Sequence, residues 1–253
     1  MTRLLFYALA VLLLIVTLHA CDLFEAENPY PEGKASVRVV HVAPMASSVN
    51  YFHMEEVLFS NLNFGEATEY VDIPVGRNPD GFLSPDGDTL VARTSVSSNF
   101  LSMRFFDFER NFTIYAIHGP AGSGHVHIRS MEVEPTPNAG GNVRMRVLHA
   151  VPEVEEVDIY LTEPGAAISA TNIFAFDIGF NNEGGSANSL PAEMPLYQVA
   201  QPGTHEVKVT LAEDNDVIFT QEVELGASRN YTMVLVPTAE GDAIDRVMML
   251  ADN

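Results

Sequence analysis

The chain repeats itself, and the repeat constrains its fold more than any other feature. Val37-Arg38-Val39-Val40-His41-Val42-Ala43-Pro44 and Met145-Arg146-Val147-Leu148-His149-Ala150-Val151-Pro152 share one pattern at an offset of 108 residues. The same offset carries Val49-Asn50-Tyr51-Phe52 onto Val157-Asp158-Ile159-Tyr160. Tyr70 then precedes Gly76 as Tyr197 precedes Gly203, and Arg110-Asn111-Phe112-Thr113 answers Arg229-Asn230-Tyr231-Thr232. Four anchors in one order mark a tandem duplication of a unit of about 100 residues, the size of an ordinary domain. Pro135-Thr136-Pro137-Asn138-Ala139-Gly140-Gly141-Asn142 holds no apolar residue larger than Ala. It cannot contribute to a core and reads as a linker (135–142) between repeat one (37–134) and repeat two (143–253).

Within each repeat the apolar residues follow strand spacing. Val37 and Val39, Val49 and Tyr51, and Phe112, Ile114 and Ala116 recur at period two among β-branched and aromatic residues. Pro79-Asp80-Gly81 and Pro85-Asp86-Gly87 are expected to be turns, because Pro presets φ and Gly takes the left-handed position. No capped amphipathic run reaches helical length. The pattern predicts an all-β protein with one antiparallel sandwich of seven or eight short strands per repeat.

Several of these residues also carry a family resemblance. The opening Arg38, His41 and Pro44, the following Val49, the central Phe64-Gly65-Glu66-Ala67-Thr68-Glu69-Tyr70 and the closing Asn111-Phe112-Thr113 resemble the bacterial domain of unknown function numbered 4397, present twice. The resemblance covers nearly all of residues 36–253, and repeat two departs from it where Gly179 and Tyr197 are pushed apart. It implies two tandem immunoglobulin-like β-sandwiches in a secreted or surface-anchored protein, and it implies no activity.

The N-terminus points to the same compartment. Arg3, an apolar run from Leu4 to Val16 and a short segment ending in Ala20-Cys21 describe a secretory signal, residues 1–20. Leu18-His19-Ala20-Cys21 resembles the lipobox of bacterial lipoproteins, in which the Cys thiol receives the lipid; His19 departs from the small or apolar residue usual there. Cys21 is the only cysteine of the chain, so lipidation leaves none for a disulfide. Residues 21–36, acidic and containing Pro29, Pro31 and Gly33, are expected to tether lipid to the first sandwich. The alternative is an uncleaved anchor, since Leu4 to Ala20 reaches the lower limit of about 17 residues for a membrane span. Asp22 resembles the inner-membrane retention signal of enterobacterial lipoproteins, which leaves the periplasmic face of the inner membrane and the outer membrane both open.

Charge excludes some partners. With 13 basic and 34 acidic residues the formal net charge is −21. Nucleic acid is an unsuitable ligand, because phosphate recognition needs a basic surface. Adsorption to anionic headgroups is disfavoured for the same reason, so lipid on Cys21 is expected to be the membrane contact. The acidity is unequal: repeat one holds 6 basic and 12 acidic side chains, repeat two 5 and 18.

The repeats differ most in their loops, where variation disturbs a rigid sandwich least and where binding concentrates. Repeat two carries extra length around Thr162–Thr171 and Asn181–Ala192, and repeat one around Arg77–Asp88. Asn181, Asn182 and Glu183, with Asp80, Asp86 and Asp88, are therefore candidate binding-loop residues. Catalytic motifs are absent: no P-loop Lys-Ser/Thr follows the glycines before His125, and no G-x-S-x-G elbow exists. His118, His125 and His127 are the one candidate metal set, since His125 and His127 lie two apart on a strand and His118 begins the intervening Gly-rich turn. His41 and His149 recur at matched positions and are expected to be structural. Asp80, Asp86 and Asp88, and Glu213, Asp214 and Asp216, do not fit the EF-hand calcium loop. Asn111 and Asn230 stand in N-x-T triplets inside predicted strands, as the repeat alone would place them.

The expectation is a lipid-anchored envelope module without a cofactor. Its role would be non-catalytic, as a binder of an envelope protein or polymer or as a structural spacer. The alternative is a metal-dependent hydrolase built on the inserted loops around His118, His125 and His127.

Overall fold

A computed structural model describes residues 33–54, 56–74, 80–93, 110–119, 125–182 and 197–253. Repeat one contains β1 (Lys34–His41), β2 (Ser48–His53), β3 (Glu56–Asn63), β4 (Val71–Pro74), β5 (Asp80–Leu83), β6 (Thr89–Arg93), β7 (Asn111–His118) and β8 (Val126–Val133). Repeat two contains β9 (Val143–His149), β10 (Val157–Thr162), β11 (Ile173–Ile178), β12 (Gln198–Ala200), β13 (Gly203–Leu211), β14 (Val217–Leu225), β15 (Asn230–Pro237) and β16 (Ile244–Ala251). The described residues include no α-helix, only a short 3-10 turn at Phe180–Asn182.

The strands form four sheets of four, ordered β4-β1-β7-β8 and β3-β2-β5-β6 in repeat one, and β12-β9-β15-β16 and β11-β10-β13-β14 in repeat two. The two repeats thus share one topology, strand for strand. The protein is all-β and built from two sandwiches, as the spacing predicts. It is not wholly antiparallel: β1 runs parallel to β7, and β9 parallel to β15. β1 also begins at Lys34, inside the segment expected to be tether.

Three cores separate these sheets. Val37, Val39, Val49, Tyr51, Phe82, Ile114 and Ala116 fill repeat one, and Met145, Val147, Ile159, Val209, Met233 and Leu235 fill repeat two. The third core joins Val40, Tyr115, Ile117 and Met131 of repeat one to Leu148, Val234, Val236 and Leu250 of repeat two. The sheets containing β1 and β9 therefore pack face to face, and both of their faces are buried. The pleat sends Val39 one way and Val40 the other, so these strands read as near-continuous apolar runs. Residues Lys34–Asn253 form one compact unit that contains all three cores.

The residues that repeat in sequence meet at this seam. Arg38 donates through Nε to Thr113 (2.9 Å) and lies over the Tyr70 ring, 4.9 Å from its centroid. Arg146 does the same with Thr232 (2.9 Å) and Tyr197 (4.6 Å). Each arginine then crosses to the last strand of the other repeat, Arg38 to the Ala251 carbonyl (2.6 Å) and Arg146 to that of Glu132 (2.8 Å). Asp252 is 1% exposed and accepts from Arg38 Nη2 (2.5 Å), Tyr197 Oη (2.6 Å) and Thr232 Oγ1 (2.8 Å). Burial raises the Tyr70 and Tyr197 hydroxyl pKa values and takes that of Tyr115 to about 12. The N-x-T triplets recur because their threonines receive the arginines, while the buried Asn230 amide donates to the Glu134 and Thr136 carbonyls and pins the linker.

Gly65 shows how closely the repeats approach. Its φ of +79° favours glycine, its carbonyl accepts from Arg246 Nη2 at 2.9 Å, and an added Cβ would lie 1.8 Å from that nitrogen.

One expected turn proves otherwise. Pro85-Asp86-Gly87 is a turn, closed by Ser84 N–H to the Asp88 carbonyl at 2.8 Å. Asp80 and Gly81, however, belong to β5, and Asp80 is buried and accepts from Tyr51 Oη at 3.0 Å. A Pro-Asp-Gly triplet gave no local sign that a buried phenol would draw the carboxylate into a strand.

Four single substitutions in a fragment spanning residues 34–253 test these roles. Asp252→Ala strands the Arg38 guanidinium in the seam and is expected to cost about 3–5 kcal/mol in urea unfolding, within a single transition. Asp80→Ala, which leaves Tyr51 Oη without that acceptor, is expected to cost about 1–3 kcal/mol. Asp86→Ala and Asp88→Ala, in an exposed turn, should stay within about 0.5 kcal/mol of wild type.

Candidate functional site

The loops following β1, β5, β9, β13 and β15 gather at one end of both sandwiches. Gly241, between β15 and β16, touches both repeats: a Cβ there would meet Pro44 at 3.3 Å and Pro152 at 3.4 Å. Its carbonyl accepts from Glu153 N–H at 3.3 Å.

At this end repeat two opens into a cleft of about 700 Å³. Pro152, Val154, Glu155 and Glu156 form one wall, Asp177, Gly179 and Phe180 a second, and Leu211, Ala212 and Glu213 a third. The chemistry is simple: Val154, Phe180 and Leu211 are apolar, while Glu155, Glu156, Asp177 and Glu213 are exposed carboxylates, and no lining residue is basic. Asp177 and Glu213 adopt positive φ, and the Asp177 amide is held by Asp158 Oδ1 at 2.9 Å. Asp214 Oδ1 accepts from the amides of Asn215 and Asp216 and so closes the turn behind Glu213.

His149 organises the first wall. Its Nδ1 accepts from Val151 N–H (3.2 Å), which leaves the ring proton on Nε2 to donate to the Glu155 carbonyl (3.1 Å). Its ring meets Phe180 edge to face, with centroids 6.4 Å apart. His41 repeats the arrangement with Ala43 N–H (3.3 Å), the Ala46 carbonyl (2.8 Å) and Phe64. Burial lowers the His41 pKa to about 4, against the raising effects of the Ala46 carbonyl and the Glu66 charge. Burial likewise lowers that of His149, against the Glu155 and Val154 carbonyls. The pair has the structural role expected of it, at the ends of β1 and β9.

The metal set does not assemble. His118 pairs with Val126 and His127 with Ile117, one residue apart on the pleat, so the two imidazoles leave the sheet on opposite faces. Among the described residues no group of three or more His, Cys, Asp or Glu side chains is placed to hold a metal ion. Spacing misled because strand alternation fixes only the relation of His125 to His127, whereas the hairpin register decides where His118 points. That register also puts His127 at the position that Arg246 occupies in repeat two, opposite Val236.

The loop candidates divide. Asn181 and Asn182 belong to the 3-10 turn beside Phe180, with Asn181 at φ 54°, and so adjoin the cleft. Asp86 and Asp88 lie in the turn at the same end of repeat one, and Asp80 is a buried strand residue. Glu183 and Cys21 lie outside the described residues. The Thr162–Thr171 loop stands at the opposite end of repeat two, because Thr162 pairs with Glu206 while Val157 pairs with Leu211. It is tied down by Lys208 Nζ to the Ala166 carbonyl (2.5 Å) and by Gly165 N–H to Glu206. The Lys208 ammonium, which also lies 3.0 Å from Glu206 Oε2, and then the Gly165 N–H lower the Glu206 pKa. Phe180 and the carboxylates Glu155, Glu156 and Asp177 escaped notice in the sequence, since they converge only once β9, β10, β11 and β13 are paired.

No curated protein matches this chain in sequence. The solved structures distantly similar to it include two from virulence factors. One, described as alpha-glucan binding by a streptococcal virulence factor, is 8% identical with a TM-score of 0.25, over 79% of this chain and 93% of that one. The other, the product complex of a multi-modular glycogen-degrading pneumococcal virulence factor, is 8% identical with a TM-score of 0.23, over 79% of this chain and 20% of that one. Residues 35–160, which span all of the first sandwich but Lys34, the linker, β9 and the first part of β10, match the family described as Domain of unknown function (DUF4397).

Proposed function

We propose that this chain is a lipid-anchored envelope module that binds a protein or polymer without catalysis, through the cleft end of its second sandwich, and that this sandwich is a second copy of the same domain. The observation that carries the reading is the cleft itself, whose walls combine apolar Val154, Phe180 and Leu211 with the carboxylates Glu155, Glu156, Asp177 and Glu213. Pockets of this size and mixed lining are where ligands are held. The anchor is supported by Leu18-His19-Ala20-Cys21, by the single cysteine and by a net charge of −21, which leaves the protein surface poorly suited to anionic headgroups. The repeated Arg, Tyr and Thr of the seam support the second copy.

Two experiments test the parts separately. Expressed in a bacterial host, the full chain should fractionate with membranes and incorporate labelled fatty acid, and Cys21→Ser should abolish the label; label persisting in that variant removes the anchor. The 34–253 fragment, immobilised and exposed to envelope extract, should retain a partner. The double variant Glu155→Lys/Glu213→Lys should retain it roughly tenfold less, while Glu222→Lys on exposed β14 should not differ from wild type. Equal capture by all three proteins, or none, rejects the cleft as the binding surface.

A further inference from the structure

His149 stands where the second core meets the cleft, and its two nitrogens do different work. Nδ1 accepts from Val151 N–H, Nε2 donates to the Glu155 carbonyl, and the loop spanned by these bonds supplies Pro152, Val154, Glu155 and Glu156 to the cleft wall. The ring's contact with Phe180 adds the opposing wall to the same side chain. Beyond Phe180 lies His118 of repeat one, its ring also 6.4 Å from the Phe180 centroid.

Only the neutral ring satisfies this arrangement. A second proton must go to the Nδ1 lone pair, which then points an N–H at the Val151 N–H and leaves that buried amide without its acceptor. The charged groups on the surrounding elements are Glu153, Glu155 and Glu156 on the loop itself and Asp177 and Glu213 across the cleft. Glu240 and Asp242 lie beside Gly241, Arg146 on β9 and His118 on β7. Burial lowers the ring's pKa against the raising effect of the Glu155 and Val154 carbonyls and so keeps it neutral at pH 7. With the folded pKa below the ordinary value of about 6.5, the neutral-ring bonds are fully present above that pH and weaken as the pH falls.

We infer that His149 is an acid-sensitive latch on the cleft. Proton uptake at Nδ1 releases Val151, frees the 150–156 wall and loosens its packing on Phe180, so that the cleft changes shape on acidification while the sheets beneath it persist. The latch is a property of the loop; its regulatory meaning rests on the cleft being the binding surface proposed above. His41 makes the same bonds in repeat one, but no cleft-lining residue belongs to the loop it holds.

The test reads the loop and not binding, so its failure is distinguishable from failure of the functional reading. In the 15N-labelled 34–253 fragment, amide exchange and the His149 ring resonance are followed from pH 7.5 to 4.5. Val151 protection, corrected for intrinsic exchange, should fall at least about tenfold in step with the ring titration, while Val209 in β13 and Met233 in β15 stay protected. His149→Gln keeps an acceptor and a donor without a titrating group and should hold Val151 protection flat. Constant Val151 protection in wild type, loss in parallel with Val209 and Met233, or the same fall in His149→Gln would each overturn the latch. Should the variant fail to fold, coincidence of the wild-type ring titration with Val151 release decides the matter.

Discussion

Asp252 is almost fully buried, and such a charge is tolerable only where every approach to it is a donor. Arg38 arrives from the first strand of repeat one, Tyr197 and Thr232 from repeat two, so one carboxylate closes a contact between the two halves of the duplication. Around it the inter-repeat core buries the second faces of two sheets. A sandwich with one such face in water would expose Val40, Tyr115 and Ile117, or Leu148, Val234 and Val236, as a continuous apolar surface. The seam is thus the condition under which either repeat can carry its sequence.

The seam is nearly symmetric between the two repeats and departs from symmetry at one carboxylate. Both repeats keep Arg, Tyr and Thr, and both arginines reach a carbonyl of the other repeat's last strand. The carboxylate occurs once, because the register that places Asp252 beside Asn230 places Val133 beside Asn111. The loops diverge likewise. Matched histidines pin the turns after β1 and β9, and the second of these turns borders the cleft, since Phe180 and the ends of β11 and β13 complete walls there. The two repeats share one framework, and elaborating the loops at one end leaves the core beneath them undisturbed.

Much of this was legible in the residues. Period-two alternation and four recurring anchors determined that the chain is all-β, that it contains two like units and that His41 and His149 serve structure, because local strand geometry and duplication write themselves directly into spacing. The carboxylate excess, the single Cys21 and the lack of nucleophile or phosphate-loop motifs are likewise properties of the chain alone. The parallel pairing of β1 with β7, the strand position of Asp80 and the divergence of His118 from His127 depend on register between segments far apart, which no local pattern encodes. The union of the repeats into one body, and the cleft made by Glu155, Asp177, Phe180 and Glu213, were decided only by tertiary structure. Burial of a second sheet face is a choice of partner surface, and apolar residues state that they must be covered without stating by what.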